Sequence, residues 1–253
     1  MRASPSASLF INCPFDKQYQ PLFDAIVFCV AACGFVPRCT LELTDAAEVR
    51  IENIYQLIAE CNHSIHDISR TEVEHQPYRL PRFNMPLELG IFLGAKRFGG
   101  RSSQRLCLIM DRAPYRYQRF ISDIGGQDIR AHHRSPAKAI RHVRDWLQSA
   151  PGKAAIPGGT KIWQDYQRFR RELPVIAEEA QLSPAQLTFI DYLQLVTNWL
   201  KLVGDTRQQL SSQVGITTVQ AALETSCFCE LIVSTTESYT PAVTAFSATA
   251  ANN

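Results

Sequence analysis

Residues 8–39 read SLFINCPFDKQYQPLFDAIVFCVAACGFVPRC, and the order of apolar runs and turn formers in this stretch decides the fold. Ser8 to Asn12 is a short apolar segment followed by a proline-containing turn, which is the pattern of a buried strand. A helix is predicted from Pro21 to Cys33, with proline at its start and Gly34 as its stop. Phe35 to Cys39 returns to a strand. Outward from this unit the alternation repeats, with Val49 to Cys61 as a second helix and Ser64 to Asp67 as a third strand. A helix over Phe83 to Gly99 follows, then a strand over Leu106 to Asp111, a short helix over Gln118 to Ile124 and a longer one over Ala137 to Leu147. Strand and helix in turn through residues 1–150 predict an α/β fold with a flavodoxin-like parallel sheet, helices on both faces and a crevice at the carboxyl ends of the strands.

The pattern changes at PGKAAIPGGTK, residues 151–161, which reads as a Pro/Gly-rich linker. A helical appendage over 151–203 is expected beyond it, with helices at Ile162 to Leu173 and Ser183 to Val203. Ser183 and Pro184 are the expected cap and first position of the second helix. Trp163, Phe169, Phe189, Tyr192 and Trp199 read as packing residues that dock the appendage on the sheet or on another subunit. Residues 204–253 turn to Ser, Thr and Ala, with one basic residue, Arg207, against four acids. A poorly ordered tail is expected there, with a single β-prone run from Cys227 to Ser234.

At 253 residues and 45% hydrophobic content the chain can bury a sizeable core. A net charge of +2 is no nucleic-acid signature, so no nucleic-acid partner is expected. MRASPSASLF lacks the apolar run of a signal peptide, and Leu22 to Val36 is too short and carries Asp24, so a cytoplasmic protein without a membrane partner is expected. The eight cysteines lack paired CxxC spacing and read as reduced, buried thiols. There is no GxGxxG or GxxxxGK loop, no HExxH, and no nucleophile elbow at Ser122, so metal and serine hydrolase chemistry are not indicated.

The chemistry concentrates in FNMPLELGIFLGAKRFG, residues 83–99. Glu88 is expected in the first turn of a helix that is apolar on most sides, where it either complements the helix N-terminus or serves a site. Polar residues also gather at the expected carboxyl edge of the sheet: Asn12 and Asp16 after the first strand, Arg38 and Glu42 after the second, Asp67, Ser69 and Arg70 after the third, and Asp111 after the fourth. Each is an ordinary turn former or cap when taken alone; their common edge is what makes them candidates. His63 and His66 flank a core strand, while His132 and His133 are placed in a connection before a fifth strand. Asp123 and Asp128 read as turn residues that approach the crevice weakly.

SLFINCPFD, IHDIS and FNMPLELGIFLGAKRFG together resemble bacterial Toll/interleukin-1 receptor-like nucleotide-binding proteins. The Asn-x-x-x-Glu-Leu-Gly pattern is also similar to that of nucleoside 2-deoxyribosyltransferases. The resemblance covers Ser8 to Leu147 and implies N-glycosidic chemistry with Glu88 beside the ribose, in the first family by splitting nicotinamide from NAD, often in bacterial antiviral defence. NAD is then substrate, no other cofactor is implied, and a homo-oligomer forms on activation. Asn84, one turn before Glu88, would orient substrate or carboxylate, or cap the helix. Asn12, Asp16, Arg38, Asp67, Ser69 and Asp111 are the remaining candidate contacts. The loop TLELTDAAEVR after the second strand does not match the substrate-covering loop of Toll/interleukin-1 receptor domains. A deoxyribosyltransferase-like enzyme and a non-catalytic nucleotide-sensing, self-assembling module are the alternatives.

Overall fold

The computed structural model describes residues 7–45, 47–71, 83–99, 105–150 and 156–206. Its strands are β1 (Ser8–Asn12), β2 (Val36–Arg38), β3 (His63–Asp67), β4 (Leu106–Asp111) and β5 (Arg130–Ala131). They form one parallel sheet in the order β2-β1-β3-β4-β5, the flavodoxin-like order. β1 and β3 are buried at every position and pair with Leu9 opposite His63 and Ile11 opposite Ile65. A central parallel strand is covered on both faces, so neither β1 nor β3 shows an alternation of buried and exposed positions, although β3 carries four polar residues.

Right-handed crossovers decide which face each helix covers. The chain leaves β1 towards β2 through α1 (Gln20–Ala32) and returns across β1 to β3 through α2 (Arg50–Glu60), so these helices lie on opposite faces. α3 (Asn84–Phe98) shares the α2 face, where Phe10, Ile54, Leu57, Ile58, Cys61 and Phe92 form one core cluster. A second cluster joins Leu89 of α3 to Ile68, Ile109, Tyr117 and Ile124. On the other face α1 packs against α4 (Pro136–Gln148) and α5 (Gly159–Glu179). Each fully buried Phe or Leu in these layers contributes about 1.5–3 kcal/mol.

The compact unit Met1–Leu200 holds the sheet, α1 to α5 and most of α6 (residues 189–206). Phe28 of α1 meets Tyr166 and Phe169 at 5.4 Å and Trp199 at 5.8 Å between ring centroids, so the appendage aromatics dock on α1. The unit Lys201–Asn253 is described over residues 201–206, which are helical. The tail expected to be poorly ordered, its β-prone run, Cys227 and Cys229 lie outside the described residues.

Several local expectations are corrected. α3 is buried along one stripe only, with Leu87 59% exposed, because an open sheet covers one side of the helix. Glu88 is the fifth residue of α3 and so stands in the second turn, away from the free backbone amides of the N-terminus. The cap position belongs to Phe83, not to Asn84. α5 begins at Gly159, inside the stretch read as linker. α6 starts after Thr188, whose hydroxyl accepts from the Asp191 amide while Asp191 accepts from the Thr188 amide; this box, not Ser183-Pro184, caps it. The helix expected over Gln118 to Ile124 is two 3₁₀ turns, Arg116–Arg119 and Ser122–Ile124. His132 and His133 follow β5 rather than precede it. The six described cysteines are unpaired, and all but Cys107 are buried. No described helix is long and apolar enough to cross a membrane.

Candidate active site at the carboxyl edge of the sheet

In an order of 2-1-3-4-5 the connections diverge between β1 and β3, and the crevice opens where those strands end. Asn12 closes β1 and Asp67 closes β3, so the sequence places a polar side chain at each lip.

Asn12 is 2% exposed, and its amide nitrogen donates to His66 Nδ1 at 2.9 Å and to the Met85 carbonyl at 3.1 Å. It therefore ties β1 to β3 and to the first turn of α3. With Nδ1 accepting, the imidazole proton of His66 resides on Nε2. Burial pushes the His66 pKa down to about 3, which keeps the ring neutral. Asn12 and His66 thus position α3, and with it Glu88.

Glu88 is 4% exposed and accepts no hydrogen bond among the described residues. Burial lifts its pKa from 4.5 to about 7, against a smaller opposing pull from Arg50. Arg50 opens α2 and donates to Thr40 Oγ1 at 3.2 Å. Glu88 also acts on Cys13, whose thiol is pushed up by burial first and then by the charges of Asp67, Cys39, Glu88 and Asp16. Cys13 therefore sits between the Glu88 side of the edge and the Asp67 side.

Asp67 is fully buried. Its Oδ2 accepts from the Tyr19 hydroxyl at 2.7 Å and lies 3.0 Å from His132 Nε2, while Oδ1 accepts from the Ser69 amide at 2.9 Å. Burial alone would raise its pKa, but His132, Ser69 and Tyr19 together outweigh this and hold it below the usual value. Asp16 accepts from Arg70 at both oxygens, at 2.7 and 3.0 Å, and this bidentate pair bridges the loops after β1 and β3.

The other candidates stand apart from these two groups. Arg38 is held by Glu42 at 2.6 Å and Glu60 at 3.2 Å on the β2 flank. Asp111 is buried at the end of β4; Arg116 Nε and the Arg112 amide donate to its Oδ1 at 2.8 and 2.6 Å. Its pKa is raised, by burial first, against the pull of Arg116. Asn84 is exposed at the first position of α3, and Asp128 is exposed and paired with Arg130. Among the described residues no three His, Cys, Asp or Glu side chains converge as metal ligands.

Tyr19 and Arg50 were not named by sequence reasoning, which read His132 as a histidine of a connecting segment. Tyr19 and His132 lie 48 and 65 positions from Asp67, and no local spacing signals such pairings. No family model matches the chain, and neither a curated protein nor a solved structure is similar to it at a significant level.

Proposed function

We propose that the chain is a nucleotide N-glycosidase that splits NAD, with Glu88 as the acting carboxylate. The observation that carries this reading is the state of Glu88: buried, without a hydrogen-bond donor among the described residues, and outside the helix turn where an acid serves the dipole. An acid left so costly to ionise has a use in the bound state.

Cleavage of a ribosyl C–N bond leaves positive charge on the sugar, and a carboxylate in a water-poor hollow stabilises that charge electrostatically. In NAD the bonding pair leaves with the nicotinamide nitrogen, which was cationic and becomes neutral. Water then adds to the anomeric carbon and loses a proton. No general acid is needed, and the other buried acids of the edge suit none: Asp67 is held ionised by three donors, and Asp111 is tied to Arg116.

One observation favours a second reading. With a pKa of about 7 Glu88 is partly protonated at neutral pH and can protonate a leaving purine or pyrimidine, as a deoxyribosyltransferase-like reaction requires. The two are separated by incubating the purified protein with NAD and with a panel of nucleosides, at dilute and at high protein concentration. Release of nicotinamide is the expected result. Release of free bases without NAD cleavage moves the assignment to the second reading. Binding of NAD without turnover in any condition leaves a nucleotide-binding module.

A further inference from the structure

On the α1 side of the carboxyl edge, the loops after β1, β3, β4 and β5 enclose a cavity of about 200 Å³. Arg70, Arg112 and Arg134 reach it from three different loops, alongside Ser69, Gln18 and Tyr19. The charge of Arg70 is met by Asp16, and planar guanidinium forks are the groups that match the oxygens of a phosphate. We propose that this cavity binds a phosphate group, at a site distinct from Glu88, which α3 carries on the opposite face of the sheet.

The walls are built rather than incidental. Asp67 holds Tyr19, Ser69 and His132 from beneath, so its charge is taken up by three of the lining residues. Asp16 and Gln18 grip Arg70 at 2.7 to 3.0 Å and fix the direction of its guanidinium. Arg134 makes no ion pair among the described residues.

The backbone beside Arg134 is strained. His133 and Arg134 take φ values of 51° and 58° in succession, a conformation that side chains other than Gly, Asn and Asp seldom adopt. Three hydrogen bonds enforce it: the His133 amide to the Arg112 carbonyl at 3.1 Å, the Arg134 amide to His132 Nδ1 at 2.9 Å, and the Ser135 amide to the His132 carbonyl at 2.9 Å. Because Nδ1 accepts, the His132 proton is on Nε2, the nitrogen that lies 3.0 Å from Asp67 Oδ2. Strain held by its surroundings at a cavity mouth marks a functional placement, here of Arg134. The N-terminus of α1, which starts at Gln20 beside this wall, adds its positive dipole end.

The test is calorimetric titration of the whole chain with inorganic phosphate, AMP and adenosine at fixed ionic strength. Saturable one-site binding of phosphate is expected. Arg134→Asn, chosen because asparagine tolerates the left-handed backbone, should weaken it about tenfold or more. Gln18→Glu, which keeps the acceptor for Arg70 and adds a negative charge to the wall, should weaken it as well. Glu88→Gln should leave it unchanged. AMP binding tighter than phosphate identifies a nucleotide as the source of the group, and equal affinity identifies free phosphate. Absence of saturable phosphate binding, undiminished binding in both folded wall variants, or loss of binding in Glu88→Gln would overturn the proposal.

Discussion

Asp67 and Glu88 lie at the same edge of one sheet and are both almost fully buried, yet their surroundings drive them in opposite directions. Asp67 is met by Tyr19, His132 and the Ser69 amide and is held ionised. Glu88 has no hydrogen-bond donor among the described residues, and burial lifts it to about 7 against a smaller pull from Arg50. The difference separates a carboxylate whose desolvation is offset inside the fold from one whose desolvation is not. It also divides the edge: the α1 side is a hydrogen-bonded frame, and the α3 side carries a buried acid with no hydrogen-bond donor among the described residues.

Removing each carboxylate should therefore have opposite effects on stability. Asp67→Ala strands three donors in the interior, and a loss of about 3–5 kcal/mol is expected in urea unfolding at pH 7. The pH dependence has a definite sign. A lowered folded pKa means that Asp67 stabilises fully above its unfolded value near 4, and the contribution is lost as pH falls through the folded value. A small effect of Asp67→Ala would place its frame among surface-like interactions and dissolve the contrast.

Glu88→Gln should instead stabilise. The folded state favours the protonated acid, so this contribution is full below the unfolded value near 4.5 and is lost as pH rises through about 7. The neutral amide escapes that loss, which amounts to about 3 kcal/mol at pH 8, taking the rise from 4.5 to about 7 at roughly 1.4 kcal/mol per unit. Chemical unfolding at pH 8 and at pH 4 checks it, with little gain expected at the lower pH. Equal stability at both would mean that Glu88 is solvated or paired.

The same titration should govern rate. If the ionised form acts, kcat/KM for NAD rises about tenfold per pH unit below 7 and levels off above it. A rate that instead falls as pH rises through 7 would assign Glu88 the role of general acid. The smallest effect lies far from both carboxylates: Thr188→Ala removes the box that caps α6 and should cost about 1 kcal/mol in thermal unfolding.

How much of this was legible in the sequence follows from the range of each interaction. The apolar run at Ser8 to Asn12, the Gly34 stop and the strand at Leu106 to Asp111 are local signals, and a parallel sheet follows from their alternation. Glu88 stood out because an acid amid apolar neighbours is visible over a few residues. A helix whose first position were Pro86 would hold Glu88 in its first turn; α3 begins two residues earlier, at Asn84, and this moves Glu88 into the second. Tyr19 and His132 were invisible as partners of Asp67, because β5 is two residues long and the loops that meet there are distant in sequence. Arg38 drew attention by its position after β2, yet its contacts with Glu42 and Glu60 are those of a brace.

The central claim is that Glu88 acts on the ribosyl bond of NAD. Its most direct measurement is nicotinamide release by wild type and Glu88→Gln at pH 8, with circular dichroism on both. The account predicts a loss of about 10²-fold or more in kcat in a variant that remains folded and melts no lower than wild type. Wild-type rates in a well-folded Glu88→Gln protein would contradict it.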